Sequence, residues 1–247
     1  MMGYVQLNEV SKVFSSDAGV TTAISDLSLE VEKGQIVAVL GKTGCGKSTM
    51  FNLVAGLSRP SSGSVRVEGY DPFTDFDWFR GKLAIVFQND RLMPWRTALE
   101  NVCLGLELAG VPRKERHDTG RRWLTQLGLA GHEDDYPHAL SGGMRQRVSI
   151  ARAFCLSPHL LLCDEPFSAL DAITAGRLRE EFVELVRKEH LTSLFITHSL
   201  EEALTVGDRI VVFKKPAKVV LDLVVDHHSD AEVEQARQQI IDALGTI

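Results

Sequence analysis

Two segments near the start of the chain alternate apolar and polar residues. Tyr4-Val5-Gln6-Leu7-Asn8-Glu9-Val10 and Leu27-Ser28-Leu29-Glu30-Val31 both follow the period of a half-buried strand, and a polar turn region separates them. They predict an antiparallel sheet edge. Val37-Ala38-Val39-Leu40 is apolar without alternation, as a strand buried on both faces requires. Ser64 to Gly69 alternates again, and Leu83-Ala84-Ile85-Val86-Phe87 predicts a further buried strand that stops at Gln88. From Asn89 to about Leu140 the period changes to three and four, with Leu99, Val102 and Leu106, then Trp123, Leu124 and Leu127, on helical faces. Leu160 to Cys163 and Leu194 to Thr197 return to buried-strand type, with a helix running between them to about His190. Arg209 to Phe213 and Lys218 to Val220 predict closing strands, and Ser229 to Leu244 a terminal amphipathic helix.

The pattern breaks most sharply after Leu40. Gly41-Lys42-Thr43-Gly44-Cys45-Gly46-Lys47-Ser48-Thr49 has the G-x-x-x-x-G-K-S spacing between a strand and a helix that extends through Met50 to Ala55, with Gly56 suited to its C′ position. The glycines let the backbone approach a polyanion, so that loop N–H groups and the helix N-terminus converge on phosphate oxygens. Lys47 is placed to reach the β- and γ-phosphates, and the Ser48 hydroxyl is the expected Mg²⁺ ligand. Ser141-Gly142-Gly143 opens a second helix with Ser141 as N-cap; alone, this is also the signature of a flexible turn. Asp164-Glu165 ends an apolar strand, where Asp164 suits Mg²⁺ and Glu165 suits the orientation and deprotonation of a water. Gln88 stands at a strand end, where ligands gather in open α/β sheets, or simply terminates the strand. His198 lies at a strand-to-helix turn whose Ser199-Leu200-Glu201-Glu202 has capping-box spacing; it can meet a γ-phosphate or be structural. Phe14 has two readings, a face for stacking on a purine or a core aromatic.

Composition narrows the class. The 247 residues, 44% apolar and 24% charged, suit a globular chain with a sizeable core. No apolar run approaches the roughly 18 residues of a membrane span, and the first residues lack the basic and apolar regions of a leader, so the chain is expected to be neither secreted nor membrane-spanning on its own. Cys45, Cys103, Cys155 and Cys163 form no C-x-x-C pair, which fits a reducing cytoplasm. A net charge of −6 argues against a broad nucleic-acid-binding surface. Arg113 to Asp118 is expected to be a solvated helix face, and His227 and His228 to be solvated, since no partner stands at metal-ligand spacing.

In this order, G-K-T-G-C-G-K-S, Gln88, L-S-G-G-M-R-Q, L-L-L-C-D-E, S-A-L-D and His198 resemble the nucleotide-binding subunit of ABC transporters over nearly the whole chain. Arg91-Leu92-Met93-Pro94-Trp95, Glu100-Asn101-Val102 and Tyr136-Pro137-His138 are further similar to the nitrate/sulfonate/taurine importer branch. The resemblance implies an α/β fold, a RecA-like P-loop core (1–88 and 157–247) with an antiparallel β subdomain and a helical insertion (about 89–156). It implies that Phe14 stacks on adenine, that residues 41 to 49 hold the phosphates of ATP, and that Ser48, Gln88 and Asp164 serve Mg²⁺. Glu165 would be the general base, His198 would steady the γ-phosphate, and Ser141, Gly142 and Gly143 would complete the site of a second subunit in an ATP-dependent, head-to-tail homodimer. The partners implied are transmembrane permease subunits and, indirectly, a substrate-binding protein, with the chain at the cytoplasmic face of the membrane. Thr43 and Ser199 depart from the Ser and Asp common in the family. Thr43 keeps the hydroxyl, whereas Ser199 caps but removes a negative charge near His198. The competing class, ABC-type ATPases acting on DNA or ribosomes, usually carries long heptad inserts or tandem cassettes, and this sequence has one cassette and no coiled coil.

Overall fold

Residues 3–16, 19–227 and 229–245 are described by a computed structural model, and the two alternating N-terminal segments pair in it. Strands β1 (Val5–Ser16) and β2 (Gly19–Val31) are antiparallel, with Val5 opposite Val31, Leu7 opposite Leu29 and Val10 opposite Leu27. These residues are all buried, so the period-two pattern reads the inward face correctly. Both strands run further than the alternation predicts. Register shifts between Leu7 and Val10, at Lys12 and at Val13 mark bulges, which break the period that a sequence reading follows. Strand β3 (Ile36–Gly41) is buried throughout and leads through the glycine loop to helix α1 (Lys47–Val54), after which Gly56 turns at φ 71°. Strand β4 (Ser62–Val67) pairs with β1 to give a three-stranded sheet in the order β2-β1-β4.

The chain divides into two compact units, Met1–Phe79 with His190–Ile247, and Arg80–Glu189. The second unit holds the parallel pair β5 (Leu83–Val86) and β6 (Leu160–Asp164), joined by helices α2 (Ala98–Val102), α3 (Leu104–Leu108), α4 (Arg113–Gln126) and α5 (Gly142–Phe154), and it ends with α6 (Ala172–Lys188). Its core includes a chain of rings in which Phe154 lies 5.2 Å from Trp123 and 6.1 Å from Phe182, with Phe167 beyond. Leu99, Val102, Leu124 and Leu127 are buried as their spacing predicts.

The first unit resumes with β7 (Thr192–Thr197), parallel to β3 on one side, while β8 (Arg209–Lys214) runs parallel on the other. Helix α7 (Leu200–Val206) joins β7 to β8, β9 (Lys218–Val224) pairs antiparallel with β8, and α8 (Asp230–Gly245) sets Ala236 and Ile240 against Ala203 and Leu204 of α7. An Arg237–Glu201 ion pair joins the same two helices. His227 is half-buried rather than solvated, its Nε2 3.0 Å from the Gly207 carbonyl oxygen, and His228 lies outside the described residues.

Candidate nucleotide site

The phosphate loop begins where β3 runs out of apolar residues. Gly46, the N-cap of α1, has φ 113°, and a Cβ there would stand 2.5 Å from the Ala23 carbonyl oxygen and 2.7 Å from Ala217 Cβ. Only glycine fits. At Gly41 a Cβ would meet the Phe213 carbonyl oxygen at 2.7 Å and Cys45 Sγ at 2.8 Å, which explains why the loop turns inward on a glycine and buries the Cys45 thiol. No side chain caps α1, so the first N–H groups of this helix have neither an intrahelical acceptor nor a side-chain cap, and Ser48 among them is exposed. Lys47 is buried, and its ammonium donates to the carbonyl oxygens of Gly41 at 2.5 Å and Lys42 at 3.2 Å, so it is held across the loop rather than in solvent. Lys42, Thr43 and Gly44 are exposed and Thr49 is half-buried.

Gln88, Asp164-Glu165 and His198 each follow the carboxyl end of their own parallel strand, β5, β6 and β7, where ligand-binding groups gather in α/β folds. Asp164 ends β6, half-buried. Glu165 takes φ 47° immediately before Pro166, so the backbone already turns at the acid and continues turning through Pro166. A non-glycine residue in that region costs about 1–3 kcal/mol, and such strain concentrates where a side chain must be aimed. The turn is braced by the Ser168 amide and hydroxyl, which donate to the Glu165 carbonyl oxygen at 3.2 and 3.0 Å. Gln88 and His198 are exposed. Behind His198, buried Glu202 accepts the Thr197 hydroxyl at 2.6 Å, while Thr197 Oγ1 accepts the Ser199 amide at 2.9 Å and Ser199 caps α7 through the Glu202 amide. Ser199 therefore fixes this turn without the missing charge. Phe14 is 48% exposed with Lys12 Nζ 5.1 Å from its ring centre, which rules out the core reading.

Ser141 is extended at φ −66° and accepts the Met144 amide at 3.2 Å, so α5 is capped as its sequence predicts, with Gly142 exposed and Gly143 half-buried. Asp171 caps α6 in the same way, and the Thr174 amide holds its carboxyl below the usual range. The sequence reading missed the fastening of the segment after Gln88 to α5. Arg145 Nε donates to Asp90 Oδ2 at 3.0 Å, and Arg152 donates to the carbonyl oxygens of Arg91 at 2.9 Å and Asp90 at 2.7 Å. Asn101 is wholly buried, accepts the Met93 amide at 2.7 Å and donates to the carbonyl oxygens of Met93, Arg96 and Thr97. These bonds shape a loop from which Trp95, 70% exposed, projects while Leu92 is buried. Arginines on a helix that otherwise faces a core were the available signal.

A glycine loop between a parallel strand and an uncapped helix has the chemistry of a nucleoside-triphosphate site, and a second strand in the chain ends in acids that suit it. The chain belongs to the ABC transporter family, whose model matches residues 24–168. It is the family's ATP-binding, ATP-hydrolysing type of subunit. An uncharacterized ABC transporter ATP-binding protein of Methanocaldococcus jannaschii is 41% identical over 219 residues, 87% of this chain and 79% of the relative. A taurine import ATP-binding protein of Yersinia pestis is 43% identical, covering 80% and 76%, and a nitrate import ATP-binding protein of Synechocystis is 37% identical, covering 95% and 87%. Among solved structures, the dimeric post-hydrolysis state of the ATP-binding cassette MJ0796 bound to ADP and Pi is similar with a TM-score of 0.78 at 31% identity, covering 89% of this chain and 98% of that one.

Proposed function

We propose that the chain is the ATP-hydrolysing subunit of an ABC importer, energising a separate membrane permease for a small anion such as nitrate, sulfonate or taurine. Among the described residues no helix is long and apolar enough to cross a membrane, which suits a peripheral subunit at the cytoplasmic face that works with a permease and, through it, a substrate-binding protein. The importer names of the taurine and nitrate relatives support the substrate class. The observation that carries the reading is that one chain builds two helix starts rich in glycine, at Gly46 and at Ser141, and a strand that ends in Asp164-Glu165.

In this proposal Phe14 stacks on adenine, the amides from Gly41 to Thr49 and Lys47 hold the phosphates, and His198 steadies the γ-phosphate. Ser48, Gln88 and Asp164 offer the hydroxyl, amide and carboxylate oxygens that suit Mg²⁺. Among the described residues no group of three His, Cys, Asp or Glu could hold a metal by itself, so the ion fits these residues as a companion of nucleotide phosphates. When bound, it neutralises charge on the β- and γ-oxygens. Glu165 orients a water and takes its proton as the water oxygen bonds to the γ-phosphorus and the bond to ADP breaks. Ser141, Gly142 and Gly143 serve the nucleotide of a second, head-to-tail copy. The division into a core, 1–88 and 157–247, and a helical part, 89–156, places the Gln88–Trp95 loop at the start of the helical part, where it receives an amphipathic permease helix beside Trp95.

The test is Glu165→Gln. Loss of a positioned general base costs about 10²–10⁴ in rate, so the variant is expected to bind ATP and lose most hydrolysis, measured as phosphate release. Wild-type turnover would remove Glu165 from this role, and co-purification with nucleic acid instead of a permease would favour the competing class.

A further inference from the structure

Two of the chain's four cysteines meet inside the second unit. Cys103 stands between α2 and α3, Cys155 ends α5, and these two buried thiols, far apart in the chain, are hydrogen-bonded to each other. Helix α4 makes room for the contact at Gly120, where a Cβ would stand 2.6 Å from Cys103 Sγ and 2.8 Å from Leu99 Cδ1. Glycine is less favourable than alanine inside a helix, and here the sulfur occupies the space that a methyl group would need. In its protonated form Cys103 donates to the Arg116 carbonyl oxygen at 3.0 Å. The two thiols are not equivalent. The hydrogen bond from Cys155, then Arg116, Arg121 and the Gly120 backbone, hold Cys103 below the usual thiol range against the opposing effect of burial, whereas the same hydrogen bond and burial push Cys155 up. Arg116 is free to act on the sulfur, since its ion pair with Glu107 is long, at 4.0 Å, and its Nε is shielded from solvent with no acceptor. A cavity of about 370 Å³ has Cys103 and Arg116 in its wall, so a molecule of the size of a peroxide comes up to that residue, while Cys155 takes no part in the wall.

We propose that Cys103 and Cys155 form a redox-active dithiol, which a hydroperoxide oxidises to a reversible disulfide joining the end of α2 to the end of α5. The Cys103 thiolate attacks one peroxide oxygen, so that an S–O bond forms as the O–O bond breaks, leaving a sulfenic acid and a hydroxide that takes up a proton as water. Cys155 then gives up its proton and attacks the sulfenic sulfur; the S–S bond forms, the S–O bond breaks, and the departing hydroxide leaves with that proton as a second water. The two thiols together lose two electrons, and the peroxide gains them. The attacking role falls to the thiol held towards its thiolate, and the resolving role to the neighbour already in contact with it. Such bridges are transient in a reducing compartment, so this one is in keeping with the cysteine usage of the chain. Neither the bridge nor its formation depends on what the cassette transports.

The experiment exposes the folded full-length chain to hydrogen peroxide and maps its thiols by peptide mass. The expected product joins the tryptic peptide 97–113 to 153–177 with the loss of two hydrogens, fragmentation places the bridge at Cys155 and not at Cys163, and dithiothreitol restores both thiols. Cys103 is expected to react at least about tenfold faster than Cys163, which lies wholly buried in β6. Cys155→Ser should stop at the sulfenic acid of Cys103, trapped by dimedone, and Cys103→Ser should leave Cys155 a free thiol under the same treatment. The wild-type map decides the question even where a serine variant fails to fold. Four free thiols after a treatment that oxidises glutathione completely would overturn the proposal. So would a bridge from Cys103 to Cys45 or Cys163, equal rates at all four thiols, or a bridge that forms only in urea.

Discussion

At the start of α1 the N-cap is Gly46 at φ 113°, and no side chain caps the helix; at the start of α5 the N-cap is Ser141, whose hydroxyl accepts the Met144 amide. The difference is one of what each end lacks. Helix α1 leaves its first amides and the positive end of its dipole without a capping side chain, and Lys47 is already drawn across the loop by two carbonyl oxygens, so under the proposed function an anion completes a site that this chain arranges by itself. Helix α5 is satisfied by its own residue. A phosphate arriving there competes with the Ser141 cap, so α5 engages an anion well only when other groups hold that anion in place. Under the proposed function, one start is a binding site in a single copy and the other contributes to the site of a second copy; a solved cassette to which the chain is similar is dimeric.

The largest expected effect comes from removing the first start. Gly46→Ala forces a side chain into a positive φ and to within 2.5 Å of the Ala23 carbonyl oxygen, so strain and overpacking together cost about 3 kcal/mol or more. ATP affinity of the isolated chain, measured by titration calorimetry, should fall beyond detection, with an earlier midpoint in urea. Retained binding would mean that α1 does not hold the phosphates.

A smaller effect belongs to the second start. Ser141→Ala removes a cap and costs about 1 kcal/mol of stability, yet it should leave ATP binding by the monomer unchanged. In a Glu165→Gln background on a sizing column, the ATP-dependent shift to dimer should weaken in Ser141→Ala and vanish in Ser141→Arg. If Ser141→Ala instead lowers monomer affinity as Gly46→Ala does, the two starts are equivalent and the contrast fails.

Much of this contrast is legible in the sequence, because it depends on local chemistry: the spacing of Gly41, Gly46, Lys47 and Ser48, and the Ser-Gly-Gly start, report backbone requirements that act over a few residues. Buried strands such as β3 are legible for the same reason. What the sequence hides are consequences of distant contacts. The extension of β1 past Val10 depends on bulges set by its partners, and the left-handed turn at Glu165 depends on Ser168 bracing it. Phe14 remained open because period alone does not say which side of a bulged strand faces solvent. The fastening of Asp90 by Arg145 joins residues 55 apart in the chain, and neither residue announces the other.

The smallest effect is the sharpest test of why α5 begins with two glycines. A Cβ at Gly142 would find only Arg145 Nη2, at 3.9 Å, whereas at Gly143 it would stand 3.0 Å from Thr174 Cγ2. Folding therefore does not require glycine at 142. Alanine in the first turn of a helix is favoured over glycine, so Gly142→Ala should raise stability by about 0.5 kcal/mol, while at Gly143 the displaced Thr174 methyl offsets most of that gain. Urea midpoints of the two variants would measure the difference. If Gly142 is kept for an anion, the more stable Gly142→Ala chain should also form the ATP-dependent dimer less well, because its methyl group crowds the approach to the amides. A variant that is both more stable and fully able to dimerise would show that the glycine serves neither folding nor the second site.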